Sequence, residues 1–133
     1  MACQMSRECI DACNACIKKC EECVKCCKDC EGCIAGRKGE CKTSADNCIK
    51  KCRECIDACR KCIIACQSHI KQCGDKECCK SMEKCIDECN KCIKACEECC
   101  NACKTQDAKC AESCKKCVQA CNDCIRACTE CIS

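Results

Sequence analysis

Positions that a helix would turn to one side recur along this chain at alternating steps of four and three. In the first segment they are Cys9, Cys13, Cys16, Cys20, Cys23, Cys27 and Cys30. The beat returns as Cys48, Cys52, Cys55, Cys59, Cys62 and Cys66, then as Cys85, Cys89, Cys92, Cys96, Cys99 and Cys103. It closes with Cys110, Cys114, Cys117, Cys121, Cys124, Cys128 and Cys131. This spacing keeps residues on one face of an α-helix. With Cys9 at heptad position d and Cys13 at a, position e carries Ile10, Ile17, Val24, Ile49, Ile56, Ile63, Ile86, Ile93, Val118 and Ile125. Position g carries Ala12, Ala58, Ala65, Ala95, Ala102, Ala120 and Ala127, and most Lys, Glu, Asp and Arg fall outside this arc.

The pattern predicts four helices over about residues 2–34, 44–72, 77–104 and 107–132. Gly36 and Gly39 break the first, and Thr43 and Ser44 are candidate N-caps for the second. Gly74 is a candidate stop and Asp75 a candidate cap for the third helix, and Thr105, Gln106 and Asp107 form a short turn before the fourth. The chain has no Pro and four Gly, so little interrupts the helices. Short turns between long helices make sequential neighbours antiparallel. The expected fold is all-α: one up-down-up-down four-helix bundle over residues 1–133 with a cysteine-lined core.

Composition sharpens that core. Of 133 residues, 34 are Cys, and there is no Leu, Phe, Trp or Tyr. Twenty-nine cysteines fall at a or d, including Cys41, Cys73 and Cys78. The other five, Cys3, Cys26, Cys33, Cys79 and Cys100, fall at e or g. Twenty-four basic and 21 acidic residues are interspersed, with a formal net charge of +3. This describes a solvated surface and gives no basis for a nucleic-acid or membrane partner. The N-terminus has no apolar signal-like stretch, so a cytoplasmic location is expected, where thiols stay reduced.

Cysteine is a poor choice for packing alone. Exchanging a core Leu for Cys gives up about 1–1.5 kcal/mol of burial at each position, at about 0.8 kcal/mol per methylene. A disulfide-stapled scaffold would be loop-rich with irregular spacing, and residues three or four apart on a helix rarely reach disulfide geometry. The C-x-x-C pairs, such as Cys13/Cys16 and Cys59/Cys62, are by-products of the heptad, and a thiol-disulfide redox protein needs an exposed low-pKa thiol. With a single histidine, His69, no acid/base or Cys–His constellation is available, so no enzyme is expected. The remaining reading is metal.

Each helix carries three d-to-a C-x-x-x-C pairs: 9/13, 16/20 and 23/27; 48/52, 55/59 and 62/66; 85/89, 92/96 and 99/103; 110/114, 117/121 and 124/128. Residues four apart share a helix face, so two thiolates clamp one ion in a near-linear unit suited to Cu(I), a soft d¹⁰ ion. All 34 cysteines are candidate ligands, joined by His69 and Met82, which occupy d and a positions at one bundle end near Met5. At two thiolates per ion, 34 cysteines hold roughly 17 Cu(I), a capacity suited to storage or sequestration. A metallothionein-like Zn(II)/Cd(II) reservoir with four ligands per ion is the alternative binding function, and a thiol-disulfide redox protein is the alternative from another class.

Inward C-x-x-x-C pairs on four helices, without an aromatic core or metal-binding loops, resemble the bacterial copper storage proteins. The resemblance spans about Cys3 to Cys131, although this chain fills nearly every a and d layer and has more cysteines than that pattern. It implies a bundle that holds many Cu(I) ions in metal homeostasis, of the cytosolic type, assembled as a homotetramer. It further implies non-cysteine ligands at a bundle end, here His69 and Met82. A copper chaperone or small thiols would be the donor or acceptor.

Overall fold

The computed structural model describes residues 5–36, 41–74, 76–105 and 108–133. They form α1 (Arg7–Ala35), α2 (Lys42–Gln72), α3 (Lys76–Thr105) and α4 (Ala108–Ile132), with no strand among them. This is the expected all-α four-helix bundle. Consecutive helices pack on each other and α4 closes the ring against α1. No Cα of α1 comes within 8 Å of α3, nor of α2 to α4, so the four helices stand at the corners of a square.

The helix ends differ from the sequence reading in ways that local hydrogen bonding explains. Helix α1 begins at Arg7 rather than near residue 2, because Ser6 is extended (φ −66°, ψ 151°) and its side chain accepts from the Cys9 N–H at 3.2 Å. That bond satisfies one of the orphan donors of the first turn. Helix α1 ends where Gly36 was expected to stop it, with the Gly36 N–H donating to the Gly32 carbonyl at 2.9 Å. Helix α2 starts at Lys42, ahead of the two expected caps, with Cys41 preceding it and no side-chain cap bond. Its stop is set by Cys73, which is extended and bonds back to the His69 carbonyl, one residue before Gly74. The expected roles of Gly39, Asp75, Gln106 and Asp107 fall outside the described residues.

The heptad sorts burial as its periodicity predicts. Among the described side chains, the a and d cysteines from Cys9 to Cys30, Cys48 to Cys66, Cys85 to Cys103 and Cys110 to Cys131 are fully or almost fully buried, and Ile17, Val24, Ile49, Ile63, Ile86, Ile93, Val118 and Ile125 pack half-buried around them. Ile64 is the exception, at f and 63% exposed. On the α1/α2 face Lys19 reaches Glu54 and Lys51 reaches Glu22, both at 3.0 Å. Such partly exposed pairs contribute little to stability but agree with the register of the two helices. Among the described residues no helix is long and apolar enough to cross a membrane.

Candidate metal centre

Antiparallel helices with the same four-three beat bring their thiols into horizontal layers. Down the α1/α2 side the facing sulfurs are Cys9–Cys66 (3.7 Å), Cys13–Cys62 (3.6 Å), Cys16–Cys59 (3.6 Å), Cys20–Cys55 (3.5 Å), Cys23–Cys52 (3.6 Å) and Cys27–Cys48 (3.6 Å). Down the α3/α4 side they are Cys85–Cys128 (3.4 Å), Cys89–Cys124 (3.6 Å), Cys92–Cys121 (3.6 Å), Cys96–Cys117 (3.6 Å), Cys99–Cys114 (3.7 Å) and Cys110–Cys103 (3.1 Å). Neither ladder slips, because each step of four on one helix meets a step of four on its neighbour.

The two ladders join alternately. Cys16–Cys124 (3.7 Å), Cys23–Cys117 (3.7 Å) and Cys30–Cys110 (3.9 Å) link α1 to α4, whereas Cys62–Cys85, Cys55–Cys92 and Cys48–Cys99 (3.7 Å each) link α2 to α3. The cause is the seam geometry: d and a residues of a helix lean alternately towards its two neighbours. Sulfurs even meet across the diagonal, as in Cys16–Cys89, Cys20–Cys92 and Cys30–Cys103 (4.0 Å) and Cys27–Cys99 (3.9 Å). Five layers are thus all thiol, from Cys13/Cys62/Cys85/Cys128 to Cys27/Cys48/Cys99/Cys114.

The result is a sulfur column along the bundle axis. The described residues include 29 free cysteines, all buried except the half-buried Cys79. Four-sulfur groups such as Cys13/Cys62/Cys85/Cys128 and Cys16/Cys62/Cys89/Cys128 lie with every sulfur within 4.8 Å of the others. The column also holds closed triangles: Cys16–Cys89–Cys124 has edges of 4.0, 3.6 and 3.7 Å, and Cys20–Cys55–Cys92 has 3.5, 3.7 and 4.0 Å. The centre of a triangle of edge about 3.8 Å lies about 2.2 Å from each corner, close to a thiolate–metal bond of roughly 2.3 Å. These buried, closely spaced thiols can therefore take up metal ions with little movement of the backbone.

The C-x-x-x-C pairs are present, but they are the looser contacts. Cys16–Cys20 and Cys117–Cys121 are at 4.0 Å, Cys23–Cys27 and Cys99–Cys103 at 3.9 Å. Pairing within a helix is therefore vertical linkage between layers whose tighter contacts run between helices. No reading of one helix at a time contains that cross-helix arrangement.

Other expected ligands need correction or relocation. Cys33 and Cys41 are joined as a disulfide across the α1/α2 turn, with Cα atoms 5.9 Å apart, so their sulfurs are not thiolate ligands here. The turn itself brings them together: Cys33 lies in the last turn of α1 and Cys41 immediately precedes α2. Cys73 is also disulfide-bonded and is removed from the ligand set for the same reason. Cys3 and the Cys78 side chain lie outside the described residues. His69 (7% exposed) and Met82 (fully buried) stand at one end of the column, beyond or level with Cys9, Cys66 and Cys131. At the opposite end Ala45 is buried where α2 would supply a fourth sulfur beside Cys30, Cys103 and Cys110. Ala45 was legible as a core position between Cys41 and Cys48. Asn47, whose amide donates to the Cys26 sulfur at 3.2 Å, carried no signal in the sequence.

Electrostatics follow from burial and from who donates to whom. Burial pushes the Cys30 thiol up to about 12, and the neighbouring Cys110 and Cys48 add to it. Cys9 is also pushed up to about 12, first through its hydrogen bond with Cys13. Cys16 and Cys23 are instead held below the ordinary thiol range, by S–H donors headed by Cys124 and Cys117 respectively. A sulfur surrounded by donors carries negative charge most readily while those donors stay protonated. Metal ions that displace protons from such a network replace weak S–H···S contacts by metal–thiolate bonds.

No protein-family model, no curated protein and no solved structure matches this chain.

Proposed function

We propose that this protein binds Cu(I) at high capacity and stores or sequesters it on its axial thiols. The observation that carries the reading is the continuous column of buried sulfurs in van der Waals contact, with triangular gaps of thiolate–metal size. Cu(I) is content with two or three thiolates, so shared sulfurs let ions fill successive layers without a separate four-ligand cage for each. The resemblance to bacterial copper storage proteins points the same way, with a homotetramer and a cytoplasmic setting. A copper chaperone or small thiols would serve as donor and acceptor. His69, Met82 and Met5 would then form the axial mouth, where a thioether and an imidazole hold the ion more loosely than paired thiolates. Binding, not catalysis, is the activity proposed.

A Zn(II)/Cd(II) reservoir is the second reading, and one observation favours it: the four-sulfur groups span helices, and tetrahedral Zn(II) with bonds of about 2.3 Å needs edges of about 3.8 Å. Anaerobic titration of the reduced protein against a Cu(I) competitor, followed by elemental analysis, separates the two. Uptake well above one Cu(I) per four thiols is expected. Saturation at one ion per four thiols with Zn(II) preferred would replace copper by zinc.

A further inference from the structure

The end of the column opposite His69 and Met82 is sealed along its axis. Cys30, Cys103 and Cys110 are at most 1% exposed, Ala45 offers no donor atom, and Cys33 and Cys41 are tied up in their disulfide. Two free thiols nevertheless lead outwards close to this end, one on each side of α2. Both belong to Cys-Cys dipeptides whose other members, Cys27 and Cys99, meet across the axis at 3.9 Å. Their partners, Cys26 and Cys100, step away from that layer to the flanks of α2 and are each 7% exposed, while Cys27, Cys48 and Cys99 are fully buried. Cys26 is held by the exposed Asn47 amide at 3.2 Å, and Cys100 donates to the Ile49 carbonyl at 3.7 Å. Both depart from the heptad rule of this chain: Cys26 occupies a g position, where Ala12 stands two turns of the repeat earlier, and Cys100 an e position, after Ile86 and Ile93.

We infer that Cys26 and Cys100 form a lateral port, through which a soft metal ion carried by a small external thiol passes to the Cys27/Cys48/Cys99 layer. The inference rests on the storage reading above. The step is a ligand exchange without redox change. A flank sulfur of the protein bonds the incoming Cu(I), the copper–sulfur bond to the carrier thiol breaks, and the proton released from the protein thiol leaves on the carrier. A second exchange moves the ion one sulfur inwards, to Cys27 or Cys48 from Cys26 and to Cys99 or Cys52 from Cys100. Exchange by such attack needs a nucleophilic sulfur reachable from solvent. At this end, among the described residues, Cys26 and Cys100 are the most exposed free thiols, at 7% each against at most 1% for the thiols of the column.

The test restores the heptad rule of the chain itself, Cys26→Ala and Cys100→Ile, so that the helices keep residues they already use at those positions. Loading from the Cu(I)–glutathione complex is followed by stopped-flow absorbance, beside the axial-mouth variant His69→Leu/Met82→Leu. The flank double variant is expected to load about tenfold more slowly, an added barrier of about 1.4 kcal/mol, while its final capacity falls by about one ion at two thiols each. Combining flank and mouth substitutions should slow loading beyond either pair alone. A flank variant that loads at the parent rate overturns the port and leaves storage standing. Absence of Cu(I) uptake by the parent chain overturns both. Should the double variant lose its helical circular dichroism, the single variants Cys26→Ala and Cys100→Ile give the same reading, with a parent rate in both counting against the port.

Discussion

The two ends of the sulfur column break the cysteine pattern in opposite ways. At the first, Met82 and His69 replace thiols with softer-held or weaker donors, in line with Cys9, Cys66 and Cys131. At the second, Ala45 removes a donor altogether, and the Cys33–Cys41 disulfide withdraws two more. The first end thus keeps side chains with donor atoms at its last layers. The second has an apolar side chain and a disulfide in their place. Identical heptads therefore do not make equivalent ends: what matters is which atoms stand at the last layer.

Metal loading is the strongest way to break this contrast. A column that fills from end to end should stabilise both, because binding confined to the folded state adds to folding free energy. A thousandfold excess over Kd is worth about 4 kcal/mol, or about 10 °C or more in Tm for a domain of this size. Calorimetry with and without Cu(I), with amide exchange read at each end, checks it. An indifferent Tm would contradict storage, and protection at one end alone would contradict a continuous column.

Met82→Ala sharpens the contrast from the first end. Among the described residues Met82 is the largest fully buried side chain, and its truncation leaves a cavity that should cost about 2–4 kcal/mol in the metal-free protein, measured by urea unfolding. Reduction of the disulfide, or Cys33→Ser, addresses the second end. Cys33 and Cys41 are 8 residues apart in sequence, so the lost constraint on the unfolded chain is about 2.5 kcal/mol. The resulting increase in exchange should concentrate at the start of α2 and the end of α1, leaving the Met82 end unchanged.

Alkaline pH gives the smallest effect and touches both ends together. The Cys9 and Cys30 thiols are pushed up to about 12, above the unfolded value of about 8.5. Between those values the unfolded chain has released protons that the folded protein retains, so stability falls as pH rises. At about pH 9.5 the loss should be on the order of 1 kcal/mol for each thiol in the reduced, metal-free protein. Unfolding midpoints unchanged from pH 8 to 10 would show that these two thiols are not held protonated by the fold.

Most of the architecture was written locally. The four-three spacing of cysteine, the Ile and Ala flanks and the scarcity of breakers were enough for four helices with a thiol-lined interior, since helix periodicity is a property of one segment. The sites of His69 and Met82 at a common end also followed from register and short turns. Tertiary structure alone decided which sulfurs become neighbours. The alternating α1/α4 and α2/α3 contacts, the diagonal Cys16–Cys89 approach and the tightness of cross-helix over C-x-x-x-C pairs depend on how four surfaces lock at once. So do the Cys33–Cys41 bond and the outward turn of Cys26 and Cys100. A heptad tells each thiol to face inwards, but only the packed bundle determines what it meets there, because side-chain lean and helix stagger are fixed by all four helices together.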